Sequence, residues 1–184
     1  MPDRTAGVFL DRDGVLNRAV VTDGIPRGPA GVDDLELLPG VEEACASLSA
    51  AGLPLVVVTN QPDIARGHLD PAVVEAQHRV LRERLPLLDV LVCPHDDADG
   101  CTCRKPAPGM LLEASSRHGL DLGASVMVGD RWRDVGAGTA AGCRTVFVDH
   151  GYDEREVDPD LTVAGLPDAV PWILEVTAQG GAPR

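Results

Sequence analysis

Two aspartates flank a single residue in "VFLDRDG", at Asp11 and Asp13. On an extended chain that spacing points both carboxylates the same way. Gly14 permits the turn that follows. Crowded carboxylates repel, and a hard divalent cation with oxygen ligands, such as Mg2+, relieves the repulsion. "GDRWRD" adds two more carboxylates, Asp130 and Asp134. Lys105 offers a fixed positive charge, and Thr59 a hydroxyl beside backbone amides. A carboxylate nucleophile, a metal, a lysine and amide donors together suit an anionic, phosphate-like substrate. Taken singly, each has an ordinary explanation. Asp-x-Asp-Gly is common in turns, Thr59-Asn60 can simply end a strand, and a lone lysine is usually solvated.

A second constellation lies in "CPHDDADGCTC", where Cys93, His95, Cys101 and Cys103 fall within eleven residues. The chain has five cysteines. An odd count with three clustered beside a histidine favours metal over disulfides. Four such ligands complete a tetrahedron and leave no position open to water, so the zinc they imply is structural. The spacing alone leaves coincidental cysteines as the alternative. Cys45 and Cys143 read as small buried hydrophobes.

These residues need elements to position them. "GVFL" (Gly7–Leu10) reads as a buried strand, and Val41–Gly52 as a helix. Leu53–Thr59 is a second buried strand. Asp70 caps a helix that has Pro71 at its first position and runs to about Leu85. Asp89–Cys93 is a third strand, Met110–His118 a helix stopped by Gly119, and Ser125–Asp130 a fourth strand. Asp134–Ala141 is a helix and Arg144–Asp149 a fifth strand. A weaker helix near Ala169–Val176 precedes a flexible tail from about residue 177 to 184. Strands alternating with helices predict an α/β fold, a Rossmann-like parallel sheet with helices on both faces. Ligands of such sheets bind at the carboxyl ends of the strands. Asp11, Asp13, Thr59, Asn60 and Asp130 fall there, with Lys105 beyond the third strand. "GAGTAA" (Gly136–Ala141) fits a loose dinucleotide pattern but lies within a helix, so it reads as close helix–sheet packing.

The 184 residues allow one domain, with its core at about 7–150. Apolar residues make up 44%, yet only five are aromatic, so the core must be aliphatic. A net charge of −13 disfavours a nucleic-acid partner. No run approaches the roughly 20 apolar residues of a membrane helix. The N-terminus lacks the pattern of a signal peptide. A cytoplasmic monomer, without nucleic-acid or membrane partners, is expected.

The segments "VFLDRDGVLN", "VVVTNQPDIARG", "CRKPAPGM" and "MVGDRWRDV" resemble the four signature motifs of the haloacid-dehalogenase-like phosphatases. The combination is most similar to the D-glycero-D-manno-heptose 1,7-bisphosphate 7-phosphatases and the related histidinol-phosphatases. The resemblance covers about Gly7 to Val148. It implies that Asp11 attacks phosphorus and that Asp13 is the general acid and base. It implies Mg2+ on the Asp11 side chain, the Asp13 carbonyl and Asp130, with Asp134 behind them. Thr59 and Lys105 would stabilise the phosphoryl group, while Asn60, Gln61, Arg104 and Arg131 would bind a small phosphorylated sugar. The family's Cys-x-His…Cys-x-Cys zinc site matches Cys93, His95, Cys101 and Cys103. The stretches from Gly14 to Val41 and from Thr59 to Asp70 are too short for a cap domain. The enzyme should therefore be capless, walled by Val15–Leu38, Gln61–His68 and the cysteine loop. Arg131 stands where heptose enzymes often carry lysine. Arg18, Arg27 and Arg131 are candidates for a second phosphate.

Overall fold

The computed structural model describes residues 5–22, 25–152, 155 and 157–179. The chain enters through β1 (Val8–Leu10) and a short hairpin, β2 (Val20–Thr22) with β3 (Ile25–Arg27). Then follow α1 (Val41–Ala50), β4 (Leu55–Asn60), the single turn α2 (Pro62–Ala65) and α3 (Pro71–Arg84). β5 (Leu87–Cys93), α4 (Gly109–His118), β6 (Val126–Gly129), α5 (Trp132–Ala141) and β7 (Arg144–Val148) continue the alternation. β8 (Leu161–Val163) and α6 (Leu166–Ala178) end it. Six strands form one sheet in the order β5-β4-β1-β6-β7-β8, and every pair is parallel.

The alternation of side chains divides the core in two. Val8, Leu10, Leu55, Val57, Val126 and Val128 face α1, α3 and α6. Phe9, Val56, Val58 and Met127 face α4 and α5. Both faces are covered, as a parallel sheet requires, and the strands are uninterrupted apolar runs for that reason. Each such buried Val or Leu contributes about 1.5–3 kcal/mol by leaving water. The expected packing role of "GAGTAA" holds. A Cβ on Gly138 would lie 2.8 Å from Met127 Cβ and 2.7 Å from Thr145 Cγ2, so only glycine lets α5 lie this close to the sheet.

Several elements differ from expectation. The β2–β3 hairpin and β8 have strands of three residues each, too short to show alternation in sequence. α5 begins at Trp132 because the Asp134 carboxylate accepts from Arg131 N at 3.0 Å and closes its first turn. α6 is longer than expected at both ends. Pro171 within it reads as a breaker, yet Leu166, Ala169 and Ile173 are buried against the core and hold the helix together. Thr177 and Ala178 therefore belong to α6 and not to a tail, while residues 180–184 lie outside the described residues. The β2–β3 hairpin and α2 are the regular structure among the described residues of the two stretches considered for a cap. No helix among the described residues is long and apolar enough to cross a membrane.

Candidate active site

β1, β4 and β6 lie side by side, so the residues just past their carboxyl ends converge. Register aligns Leu10 with Val57 and Val128, which brings Asp11, Thr59 and Asp130 to one end of the sheet. Asp11 N donates to Val128 O at 2.9 Å and continues the ladder one step further. The chain then turns at Gly14, whose φ is +87°. A Cβ there would sit 2.0 Å from Asp130 Oδ2, so the turn and the carboxylate can share this space only with glycine. His150, beyond β7, donates from Nε2 to Gly14 O at 2.7 Å and stitches that loop to the turn.

Asp11, Asp130 and Asp134 are buried, with carboxylate oxygens within 4.8 Å of one another. Lys105 answers two of them. Its Nζ lies 2.9 Å from Asp11 Oδ1, 2.6 Å from Asp134 Oδ1 and 2.7 Å from Val58 O. All three ammonium donors are thereby used. Burial opposes the Lys105 charge, but Asp11 and Asp134 outweigh it and raise its pKa. Burial first, then the Asp134 charge, pushes the Asp11 carboxyl up to about 7 against the pull of Lys105. Burial, Asp11 and Asp134 raise Asp130 well above the carboxylate range. Asp130 Oδ1 is buried without a hydrogen-bond partner. Three buried carboxylates, one ammonium and an unanswered oxygen form a donor set that fits a hard divalent cation.

Asp13 is held differently, and its side chain lies outside that carboxylate trio. Burial raises its pKa, but the Arg12 charge and hydrogen bonds from Arg12, Asn17 and Gln61 win and lower it. Gln61 Nε2 lies 2.9 Å from both Asp13 Oδ2 and Thr59 Oγ1. Asn60 clamps the Lys105 backbone, donating to Lys105 O at 3.0 Å and accepting from Lys105 N at 3.1 Å. Thr59 and Lys105 are each 1% exposed and lie beneath the cleft floor.

Above them is a cleft of about 350 Å³. Asp11, Asp13, Asn60, Gln61, Arg104, Asp130 and Arg131 line it, as do Arg27, Arg66 and Arg133. Arg66 and Arg133 were not singled out in sequence, although both lie within the quoted motifs, because nothing local shows that they face the cleft. Arg18 is absent from the lining and pairs with Glu36 on the exposed surface, 3.1 Å away. It therefore separates from Arg27 and Arg131 as a candidate for a second phosphate.

The cysteine loop closes one wall. Cys103 Sγ lies 3.2 Å from Cys93 Sγ, 3.4 Å from Cys101 Sγ and 3.3 Å from His95 Nδ1. Cys93 Sγ lies 3.7 Å from Cys101 Sγ and 3.6 Å from His95 Nδ1. Ligands about 2.0–2.3 Å from a tetrahedral zinc stand at edges of roughly 3.5–3.8 Å, close to these separations and far from an S–S bond. Burial, aided by its hydrogen bond with Cys103, pushes the Cys93 thiol up to about 12, so a thiolate there needs a cation. The loop is pinned from both sides. Asp97 accepts from Arg104 Nε at 2.7 Å and from Arg133 Nη1 at 3.0 Å. Asp96 accepts from Arg66 Nε at 2.7 Å.

The comparisons with known proteins agree with this geometry. The HAD-hydrolase-like family model matches residues 102–170. A D-glycero-beta-D-manno-heptose-1,7-bisphosphate 7-phosphatase of Bordetella bronchiseptica is 37% identical over 166 residues, covering 88% of each chain. The chain belongs to the haloacid-dehalogenase-like phosphatases. The similarly named protein of Pseudomonas aeruginosa is 40% identical, over 84% of this chain and 86% of its own. Among solved structures, the D,D-heptose 1,7-bisphosphate phosphatase of B. bronchiseptica, complexed with magnesium and phosphate, superposes with a TM-score of 0.78. It is 32% identical and covers 93% of this chain and 99% of its own.

Proposed function

We propose that this chain is a Mg2+-dependent phosphatase that releases the C7 phosphate of D-glycero-D-manno-heptose 1,7-bisphosphate. The observation that carries the reading is the buried group of Asp11, Asp130 and Asp134 around Lys105, with Asp130 Oδ1 unanswered. The substrate is that of the heptose-1,7-bisphosphate 7-phosphatases that the chain resembles. Asp11, the Asp13 backbone carbonyl and Asp130 would hold Mg2+, which when bound neutralises charge at the phosphoryl group. An Asp11 oxygen attacks phosphorus, and the ester P–O bond breaks with its electron pair passing to the sugar oxygen. Asp13, which the anionic phosphate beside it must first bring to its protonated form against the pull of its four donors, gives that oxygen a proton, then takes one from the water that hydrolyses the aspartyl-phosphate. Lys105 aims Asp11 and favours its ionised form, and Thr59 lends its hydroxyl to the phosphoryl group. Arg104 and Arg131, with Asn60 and Gln61, orient the sugar phosphate, and Arg27 joins Arg131 at its second phosphate. Cys93, His95, Cys101 and Cys103 hold a structural Zn2+. A cytoplasmic monomer fits such thiolate ligands, which oxidising compartments would threaten.

The test is phosphate release with Mg2+ over a panel of sugar phosphates, sugar bisphosphates and histidinol phosphate. The heptose bisphosphate should give the highest kcat/KM. Asp11→Asn should lower kcat by roughly 1,000-fold or more. A strong preference for histidinol phosphate would overturn the substrate. An Asp11→Asn variant as active as the parent would overturn Asp11 as the nucleophile, and a parent inactive on every ester would reduce the protein to a binding module.

A further inference from the structure

Asp13 is gripped on both carboxylate oxygens. Oδ1 accepts from Arg12 Nε at 3.1 Å and Asn17 Nδ2 at 2.9 Å. Oδ2 accepts from Arg12 Nη2 at 3.0 Å and Gln61 Nε2 at 2.9 Å. Two of these four donors come from one guanidinium, in the fork geometry that fixes a carboxylate's plane as well as its position. Arg12 itself is 0% exposed, the largest fully buried side chain among the described residues.

A buried guanidinium stays where its partners hold it. The third nitrogen of Arg12, Nη1, donates to Gln77 Oε1 at 2.9 Å and lies 3.2 Å from His78 Nε2. Both residues sit on α3 and are buried. Burial first, then the charge of Arg12, holds His78 neutral down to about pH 3, which leaves Nε2 free to accept. Gln77 then reaches the other way. Its Nε2 donates to Pro29 O at 2.9 Å and Gly31 O at 3.1 Å, in the loop that follows β3. An unbroken chain of hydrogen bonds thus runs from the Asp13 carboxylate through Arg12 and Gln77 to Pro29 and Gly31, close to the cleft wall at Arg27 and Gly28.

We propose that Gln77 and His78 are positioning residues for phosphoryl transfer. Acting through Arg12, they set where the Asp13 carboxyl stands, and Gln77 ties that setting to the loop at Pro29–Gly31. The inference rests on the phosphatase reading above. It goes further by giving two residues of α3, remote from the signature motifs, a part in delivering the proton. A sugar oxygen leaves only if Asp13 protonates it as the P–O bond breaks. A p-nitrophenolate leaves as the anion and takes no proton. Misplacing Asp13 therefore slows the first step for one ester and spares it for the other. Hydrolysis of the aspartyl-phosphate needs Asp13 with either ester, so the first turnover is the step to read.

The experiment compares the full-length parent with Gln77→Leu, His78→Leu and His78→Gln, each with Mg2+. First-turnover rates are taken on a sugar phosphate and from the burst of p-nitrophenolate. In the leucine variants the sugar ester should slow roughly 10- to 100-fold, while the burst and KM change less than about threefold. His78→Gln, which offers an acceptor near the position of Nε2, should recover most of the loss. Should leucine at either position prevent folding, Arg12→Lys carries the same expectation, because it keeps the charge but severs the fork. Equal loss on both esters, a change confined to KM, or no change would overturn the positioning role. A parent that releases no phosphate from either ester would instead overturn the phosphatase reading.

Discussion

Asn60 shows how one side chain can serve catalysis without touching phosphorus. Its amide spans the Lys105 backbone, one hydrogen bond on each side. Lys105 lies on a loop and Asn60 ends an inner strand of the sheet, so the regular element aims the irregular one. Asn60→Ala should leave both Lys105 backbone groups to find new partners, costing about 1–3 kcal/mol of stability. The ammonium should shift with its backbone, so kcat should fall on the order of 10- to 100-fold. Denaturant unfolding and steady-state phosphate release check the two effects separately. Unchanged kcat with lowered stability would confine Asn60 to a structural part.

At the scale of elements, the cysteine loop is the piece that needs an outside agent to hold its shape. It is polar and Asp-rich, and its only regular structure is one turn of 3-10 helix at Asp97–Asp99. Three arginines pin it through Asp96 and Asp97, and two of these belong to other parts of the fold, Arg66 after α2 and Arg133 on α5. Such exposed pairs are worth little singly, about 0–1 kcal/mol. On the proposed reading, the zinc supplies the rest. Cys101→Ser should remove zinc by metal analysis and cut activity on the order of 100-fold as Lys105 loses its aim. Far-UV circular dichroism should change little, because the sheet is built without the loop. Full activity without zinc would refute this.

The same scale shows what sequence makes legible. That Asp11, Asp130 and Lys105 would gather, and that the four residues of the cysteine loop would cluster, was legible because their types are chemically committed and their spacings are local. The strands were readable because a sheet covered on both faces needs continuous apolar runs. Gln77 and His78 were not, because α3 is an ordinary amphipathic helix in sequence and only the fold brings it to Arg12, 65 residues away. Arg12 between two aspartates reads as a solvated charge, and nothing local reveals that it is buried. The hairpin walling the cleft escaped for a different reason: three-residue strands carry too little pattern.

For the whole molecule, the carboxylate group makes stability depend on pH and metal together. The ordinary carboxyl pKa of Asp11, 3.8, rises to about 7 in the folded, metal-free protein, and Asp130 is raised too. Between those values the folded state holds more protons than the unfolded one, so this contribution to stability falls as pH rises. A bound divalent cation must displace the same protons. The rise in Tm on adding Mg2+ should therefore be small near pH 5 and grow by several degrees toward pH 8. Differential scanning fluorimetry with and without Mg2+ measures it, and taking the difference cancels titrations elsewhere, such as His78. An increment independent of pH would show that these carboxyls do not take up the cation.

Lys105, 1% exposed with all its donors engaged, is also the only lysine among the 184 residues. Apart from the chain's terminal amine, amine-directed acylation therefore has a single target, and the folded protein hides it. A second adduct in the intact mass would appear only when the loop beside Lys105 lets go. The molecule thus carries its own footprinting probe, one natural side chain whose silence reports that the catalytic floor is assembled.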